Sequence, residues 1–211
     1  MGKFERALPK KALFFMQKNK QTIGITGGIG SGKSVVANIL ISMGYPVYNS
    51  DTRAKEIINT QEKLRSEIKR EFGKDIYTEC GLDRKKMAEI VFNNPNKLAA
   101  LNGLVHPAVG IDFEAWKNSK TTPFVFKEAA ILFETGIYNE IDSLILVTAP
   151  ISIRINRVMK RDKASKEEVE NRMKNQWSDE KKIKLSDFVI DNSGVKMVIP
   201  QVMEVLKSLN S

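Results

Sequence analysis

The segment Gly27–Ser34, with the sequence GGIGSGKS, constrains the fold of this chain more than any other feature. It matches the pattern G-x-x-x-x-G-K-[ST] at every fixed position. A β-branched run at 21–26 precedes it, and apolar residues recur at helical spacing in 33–43 after it. The sequence therefore predicts a strand, a glycine-rich loop and a helix that together hold phosphate groups.

The residue types of this loop suit a nucleoside triphosphate. Its glycines allow backbone N–H groups to turn inward and, with the positive end of the following helix, to bind phosphate oxygens. Lys33 is expected to reach the β- and γ-phosphates, and the Ser34 hydroxyl is expected to be a ligand of Mg²⁺. A glycine-rich turn that merely caps a helix would not require lysine and serine at these positions. The residues expected to contact ATP here are Gly28, Ile29, Gly30, Ser31, Gly32, Lys33, Ser34 and Val35.

Short apolar runs farther along the chain predict the rest of a sheet. After the first strand, further strands are predicted at 46–48, 123–129, 143–149 and 188–191, separated by helical stretches. Such alternation favours a parallel sheet with helices on both faces. We therefore predict an α/β fold, with a three-layer P-loop NTPase core and a mostly parallel five-stranded sheet.

Two helical insertions interrupt this alternation and are expected to bind substrate. Residues 52–119 are predicted to be mostly helical, with helix caps at Asp83 and Asn94, and to form a substrate subdomain. Residues 152–185 carry many charges and no strand pattern, and they are predicted to form a helical lid. The nucleotide-binding core is predicted to comprise 21–51, 120–151 and 186–211.

Composition limits the setting of the protein. The 211 residues include one cysteine, Cys80, which cannot form an internal disulfide, and no apolar run approaches the ~20 residues of a membrane-spanning helix. We expect a cytoplasmic protein without a membrane partner. The apolar run at 12–16 is too short for a signal peptide. Residues 1–20 are therefore interpreted as a dispensable extension, or as the result of a start codon placed too early, since Met16 directly precedes the first strand.

The net charge of +9 indicates an anionic partner, and nucleotide phosphates or a nucleic acid would both satisfy it. A nucleic-acid-binding NTPase is disfavoured, because no stacking-aromatic motif or recognition helix is evident and aromatic residues make up only 8% of the chain. The phosphate loop by itself leaves a kinase, a switch GTPase and an ATP-driven motor open.

Asp51 is the candidate for accepting the proton of an acceptor hydroxyl. It follows the second predicted strand, and ligands of open α/β sheets lie beyond the carboxyl ends of the strands. We therefore expect Asp51 to face the same crevice as the phosphate loop, where a carboxylate can orient a hydroxyl or take its proton. A cap for the helix predicted from Thr52 explains the same residue equally well.

Further motifs, in shared order and spacing, resemble those of the dephospho-coenzyme A kinase family from Thr22 to about Met203. They are Gly24–Ser34, Ser50-Asp51 with Ala54, Leu101-Asn-x-Leu-x-His-Pro107, Leu132-Phe-Glu134, Arg157-x-x-x-Arg161-Asp162, Arg172-x-x-x-Gln176 and Asp187-x-x-Ile-Asp-Asn-x-Gly194. The resemblance implies that ATP phosphorylates the ribose 3′-hydroxyl of dephospho-CoA, with Mg²⁺ and without a nucleic-acid partner. A nucleoside monophosphate kinase is disfavoured, because its arginine pattern around the acceptor phosphate is not evident.

The resemblance also assigns the acceptor side of the reaction. It implies that Asp51 is the catalytic base and that dephospho-CoA contacts Asp51, Lys55, His106 and Glu128. Glu128, at the end of a predicted strand, would also hold Mg²⁺ through water.

Some of these positions depart from the commonest family pattern. Asn49 replaces an aspartate, Lys55 replaces an arginine, and Glu128-Ala-Ala130 replaces Asp-x-Pro. Lys55 keeps the charge but lacks the bidentate fork, so a weaker hold on a substrate phosphate is expected. His106 precedes Pro107 and is predicted to end a helix, because the residue before proline disfavours helical geometry.

Arginines of the predicted lid complete the expected site. Arg157 and Arg161 are four residues apart and share a helix face, so both are expected to point at the phosphates. Arg157 would bind ATP, and Arg161 would act in catalysis as arginine fingers do. The alternative is a solvated helix with ion pairs to acidic neighbours such as Asp162, which we favour for Arg154. The resemblance suggests that the loop containing Asn192 contacts the adenine.

Overall fold

The computed structural model describes residues 20–92 and 94–210, so the predicted extension lies outside the described residues except for Lys20. The chain divides into two compact units. One comprises the chain up to Tyr48 together with the chain from Lys120 onward, and the other is Asn49–Ser119. Each unit is described by itself below.

The secondary-structure elements alternate through the first unit and are mostly helical in the second. In chain order they are β1 (Gln21–Thr26), α1 (Lys33–Ser42), β2 (Val47–Asn49), α2 (Ser50–Thr60), α3 (Glu62–Phe72), β3 (Tyr77–Thr78), β4 (Gly81–Leu82), α4 (Arg84–Phe92), α5 (Pro95–Asn118), β5 (Phe124–Glu128), β6 (Ser143–Thr148), α6 (Ile151–Asp162), α7 (Lys166–Lys174), α8 (Asp179–Ile183), β7 (Phe188–Asp191) and α9 (Val198–Leu209). Short 3₁₀ turns lie at Lys74–Ile76 and Ile137–Glu140.

A five-stranded sheet in the order β2-β5-β1-β6-β7 forms the centre of the first unit. Strand β1 pairs in parallel with β5 and β6, and β6 pairs in parallel with β7. The predicted α/β fold and sheet are confirmed, and each predicted strand is correct to within a residue at either end. The loop that follows the central strand therefore emerges at the middle of the carboxyl edge of the sheet.

Both faces of this sheet are covered. Helices α1 and α9 pack on one face, where Leu40 and Val202 join strand residues such as Ile25 in a single buried cluster. On the other face, Leu144 and Leu146 of β6 pack against residues that follow β5 and against Trp177. The continuous apolar strands predicted this arrangement, because a strand buried on both faces has no polar alternation.

The second unit is a small helical bundle with its own core. Residues of all four helices and of the 3₁₀ turn form this core, namely Ile57, Leu64, Ile68, Phe72, Ile76, Met87 and Val105. Helix caps at Asp83 and Asn94 are confirmed, since their side chains accept the N–H groups of Lys86 and Lys97 at 3.0 and 3.1 Å. The antiparallel β3–β4 hairpin was not predicted, because strands of two residues carry no alternation to detect.

Helix α5 corrects one prediction. His106 does not end a helix, because α5 runs through Pro107 to Asn118. Proline inside a helix costs about 3 kcal/mol. Burial of Val105 on one side of the proline and of Phe113 on the other favours continuing the helix. Packing on both sides therefore outweighs the local preference of the residue before proline.

Apolar residues around His106 recur at helical spacing, which predicts that they lie in a helix core, but two of them lie at the surface of this unit. Phe92 is 83% exposed and Leu98 is also exposed. By contrast, Leu101, Leu104 and Val109 pack against the core as expected. Within the two described ranges, no helix is long and apolar enough to cross a membrane.

Candidate nucleotide-binding site and acceptor residues

The phosphate loop has a backbone shape that only glycine adopts readily. Gly30 and Gly32 have φ values of 79° and 95°, in the left-handed region. The Ser31 N–H donates to the Gly28 carbonyl at 3.0 Å, which closes a tight turn. Gly32 directly precedes α1, whose first N–H groups have no partner within the helix. The loop thus directs backbone donors and the positive end of a helix to one place.

Lys33 and Ser34 stand at the start of α1. The Lys33 Nζ donates to the Gly27 carbonyl at 3.0 Å, so the side chain lies across the loop. Ser34 is exposed in the same turn. These positions place an ammonium group and a hydroxyl on the phosphate loop itself, which is where the sequence pattern requires them.

Two other predicted ATP-binding residues lie against this loop. The Asn192 Nδ2 donates to the Ser31 carbonyl at 2.8 Å, and Asn192 is only 8% exposed. Arg157 donates from Nη2 to the Asn192 carbonyl at 2.9 Å and lies 3.5 Å from the carbonyl oxygens of Gly30 and Ser31. The structure therefore brings Arg157, Asn192 and the phosphate loop together.

Arg161 has different surroundings from Arg157, although both belong to α6. Its guanidinium donates to both carboxylate oxygens of Asp162 at 2.7 and 3.0 Å, and its side chain is 63% exposed. Arg172 donates to the same carboxylate at 3.0 Å. The hydrogen bond from Arg161 is the main reason that the pKa of Asp162 is lowered. The ion pair with Asp162 that was the alternative to a phosphate contact is therefore present.

Arg154 contradicts the expectation of a solvated side chain. It is 5% exposed, and it donates from Nε to the Ile29 carbonyl and from Nη1 to Asp179, each at 2.9 Å. Sequence reasoning missed this residue because it considered charge alone. Helical spacing could have revealed it, since Arg154 lies four residues before Val158, which is fully buried.

Glu128 is the last residue of β5 and is 6% exposed. It lies opposite Ile25 of β1, and the N–H of the next residue, Ala129, donates to the Ile25 carbonyl at 3.1 Å. A carboxylate therefore stands at the carboxyl end of the strand beside the one that leads into the phosphate loop.

No cluster of three or more His, Cys, Asp or Glu side chains suited to a metal occurs in residues 20–92 and 94–210. A hydroxyl at Ser34 and a single carboxylate at Glu128 nevertheless fit Mg²⁺, which usually keeps several waters and binds the phosphates of its nucleotide.

Three of the four residues predicted to contact dephospho-CoA, Asp51, Lys55 and His106, belong to the helical unit. Asp51 is exposed in the first turn of α2, and Lys55 is exposed one turn later. The cap of this helix is Asn49, whose side chain accepts the Thr52 N–H at 2.8 Å. Capping therefore does not explain Asp51.

A bidentate ion pair joins the two helices that carry these residues. Arg53 of α2 donates to the carboxylate of Asp112 in α5 at 3.0 and 2.5 Å. This hydrogen bonding raises the pKa of Arg53. His106, also in α5, is half-buried, and burial lowers its pKa. The ion pair thus fixes α2, with Asp51 and Lys55, against the helix that carries His106.

A phosphate loop at the carboxyl end of the central strand of a parallel sheet, followed at once by a helix, defines the P-loop class of nucleotide-binding proteins. Comparison with known proteins narrows this class. The sequence model of the dephospho-CoA kinase family matches residues 21–197. A dephospho-CoA kinase of Bacteroides fragilis is 39% identical over 188 residues, which cover 89% of this chain and 92% of that protein.

Comparison with solved structures gives the same result as comparison of sequences. The crystal structure of TT1252 from Thermus thermophilus has a TM-score of 0.80 and 37% identity, and the match covers 92% of this chain and 97% of that one. Dephospho-CoA kinase from Campylobacter jejuni has a TM-score of 0.63 and 28% identity, with 90% and 97% covered. The chain belongs to the dephospho-CoA kinase family.

Proposed function

We propose that this chain transfers the γ-phosphoryl group of ATP to the ribose 3′-hydroxyl of dephospho-CoA, giving CoA and ADP. Family membership supports the acceptor. The observation that supports ATP as the phosphoryl donor is the phosphate loop Gly27–Ser34. Side chains outside the loop hold it in a phosphate-binding shape. Preorganised donors of this kind are the main source of catalysis in phosphoryl transfer.

On the donor side, Lys33 would exchange the Gly27 carbonyl for the β- and γ-phosphates. Arg157 and Asn192, which already touch the loop, would contact the nucleotide. We propose Mg²⁺ as the divalent cation, held by the Ser34 hydroxyl and, through water, by Glu128. When bound, the cation neutralises charge on the phosphates.

On the acceptor side, Asp51 would orient the 3′-hydroxyl and accept its proton as the oxygen bonds to the γ-phosphorus. The bond from that phosphorus to the oxygen of ADP breaks in the same transfer. An exposed carboxylate with no capping duty suits this role. Lys55 and His106 would contact dephospho-CoA, with Lys55 binding a substrate phosphate as a single point charge.

Arg161 would stabilise the charge on the transferring group together with Lys33. To do so, it has to exchange Asp162 for the phosphoryl oxygens. The second ion pair, from Arg172 to the same carboxylate, favours this exchange, because Asp162 keeps a partner when Arg161 leaves. Residues 152–185 would then close over the reaction and exclude water, which would otherwise accept the phosphoryl group.

The test is an assay of ATP consumption with dephospho-CoA, AMP, CMP or shikimate as the acceptor, followed by identification of the phosphorylated product. We expect ADP formation with dephospho-CoA only, and CoA as the product. Turnover with a nucleoside monophosphate alone would overturn the assignment. DNA binding with steep salt dependence, and no turnover with any of the four, would instead support a nucleic-acid-binding NTPase.

A further inference from the structure

Ile29, in the middle of the phosphate loop, is gripped at both of its backbone polar groups by side chains from far along the chain. The Arg154 Nε donates to the Ile29 carbonyl at 2.9 Å. The Ile29 N–H donates to the Gln176 Oε1 at 2.8 Å. We call these three residues the Ile29 clamp.

The Arg154 guanidinium is held in position by a second partner besides the Ile29 carbonyl. Its Nη1 donates to Asp179 in the first turn of α8, and the ion pair is largely withdrawn from solvent. The guanidinium also packs directly on the loop. A Cβ atom added at Gly28 would lie 1.9 Å from the Arg154 Nη2, and one at Gly30 would lie 2.5 Å from the Arg154 carbonyl oxygen. Two of the loop glycines therefore leave room for this one residue.

Gln176 is also held in position, through contacts of the residue that follows it. The N–H of the next residue, Trp177, donates to the Glu134 Oε1 at 2.9 Å, and the indole stacks on Phe133 with ring centroids 5.9 Å apart. The fully buried Lys182 forms an ion pair with the same oxygen of Glu134 at 2.8 Å. The residues that follow β5 thereby anchor Gln176, and through it one side of the Ile29 peptide.

We propose that Arg154 and Gln176 are positioning residues for phosphoryl transfer, which set the direction of the loop N–H groups by fixing the peptides on either side of Ile29. This proposal rests on the proposed function. A glycine-rich loop has many accessible backbone states, and ordering it upon binding costs free energy. The clamp removes that cost in advance. Neither residue belongs to the glycine-lysine-serine pattern or to the residues expected to contact ATP.

The experiment compares Arg154→Met and Gln176→Met with the intact protein. Each variant keeps an unbranched apolar stem at the position but loses the hydrogen bond to Ile29. We expect KM for ATP to rise roughly tenfold or more, because small misplacements of binding groups have effects of this size. KM for dephospho-CoA should stay within about twofold, since Asp51, Lys55 and His106 belong to the other unit.

Two further variants separate positioning from charge and from general stability. Lys160→Met removes an exposed cation from the same helix and should leave all kinetic constants unchanged. Arg154→Lys keeps the charge and one donor and should recover part of the ATP affinity. A structural role alone would lower the melting temperature and the active fraction while leaving KM for ATP as it is, and that outcome would overturn the proposal.

A binding measurement distinguishes failure of the clamp from failure of the proposed function. The rise in melting temperature caused by Mg²⁺ and ADP reports nucleotide affinity without any acceptor. We expect a smaller rise in both methionine variants than in the intact protein. Equal rises would overturn the clamp, even if the intact protein did not phosphorylate dephospho-CoA. If Arg154→Met does not fold, Gln176→Met alone decides between the same two outcomes.

Discussion

The two units hold their predicted site residues in contrasting ways. In the nucleotide unit, Asn192 is buried, and both Asn192 and Arg157 donate hydrogen bonds to the backbone of the phosphate loop. In the helical unit, Asp51 and Lys55 are exposed on one helix and His106 is half-buried on another. The donor side is thus built into the fold, whereas the acceptor side consists of side chains that the fold does not need. Substitutions in the first should change structure and affinity, whereas substitutions of Asp51 and Lys55 in the second should change chemistry with little effect on stability.

Asp51→Asn should produce the largest effect. We expect turnover to fall by about 10²- to 10⁴-fold, because the amide cannot accept the hydroxyl proton. Nucleotide affinity and melting temperature should not change, since Asp51 is exposed and Asn49 caps its helix. Steady-state kinetics measures the turnover, and the thermal shift with Mg²⁺ and ADP measures nucleotide affinity and melting temperature.

Lys33→Ala, by contrast, should lower turnover and nucleotide affinity together.

The matched control is Asp83→Asn, which makes the same change at a helix N-terminus of the same unit. Asparagine caps helices as well as aspartate does, so activity and stability should remain near those of the intact protein. Near-normal turnover by Asp51→Asn would show that Asp51 is not the base. It would also contradict the contrast drawn between the two units.

Lys182→Met should have the largest effect on stability. It leaves Glu134 without its buried cation, and breaking one partner of a buried ion pair costs about 3–5 kcal/mol. Denaturant unfolding would measure this loss, and a second substitution, Glu134→Gln, should recover part of it. In the helical unit, Lys55→Met should change the free energy of unfolding by less than about 0.5 kcal/mol. Similar losses for both lysines would contradict the comparison.

A pair of glycines tests the same contrast with smaller effects. Gly28→Ala should destabilise the protein by about 1–3 kcal/mol and weaken nucleotide binding, because its Cβ would lie 1.9 Å from a guanidinium that cannot move aside. Gly110→Ala, in α5, should stabilise by about 0.5–1 kcal/mol, since apart from its chain neighbours and the backbone of its own helix no described atom lies within 4 Å of the new Cβ. Equal changes in melting temperature would show that the two glycines have the same role.

The smallest expected effect concerns His106 and pH. Burial lowers its pKa in the folded chain, so below about pH 6.5 the unfolded chain binds a proton that the folded chain resists. The free energy of unfolding should therefore fall on acidification through this range, and it should fall less in His106→Gln. Unfolding curves at pH 7.5 and 5.5 for both proteins isolate the effect, because this is the single histidine. An identical pH response of the intact protein and His106→Gln would contradict the contribution assigned to His106.

The phosphate loop and the sheet could be predicted because their signals are local. A loop that must approach phosphates needs glycines, lysine and serine in fixed order, and strands buried on both faces are continuously apolar. Asp51 was left open by the residues, since a base and a helix cap look alike in sequence. The hydrogen bond from the Thr52 N–H to Asn49 shows that Asp51 is not the cap, and its role as the base stays a prediction.

The predictions that were wrong concern features that depend on contacts between residues distant in sequence. The continuation of α5 through Pro107 follows from packing on both sides of the proline, which no local preference encodes. The burial of Arg154 depends on Ile29 and Asp179, which lie 125 and 25 residues away along the chain. Its charge alone indicated a surface residue, as for most arginines.

The position of β1 at the centre of the sheet has a consequence during biosynthesis. Both of its neighbours, β5 and β6, begin after the helical unit is complete, at Phe124 and Ser143. Every residue of the unit Asn49–Ser119 therefore leaves the ribosome before β1 can pair with anything on its two sides. Nascent chains that end in this interval carry the phosphate loop on a strand whose two edges are both unpaired, and such edges can pair with other chains.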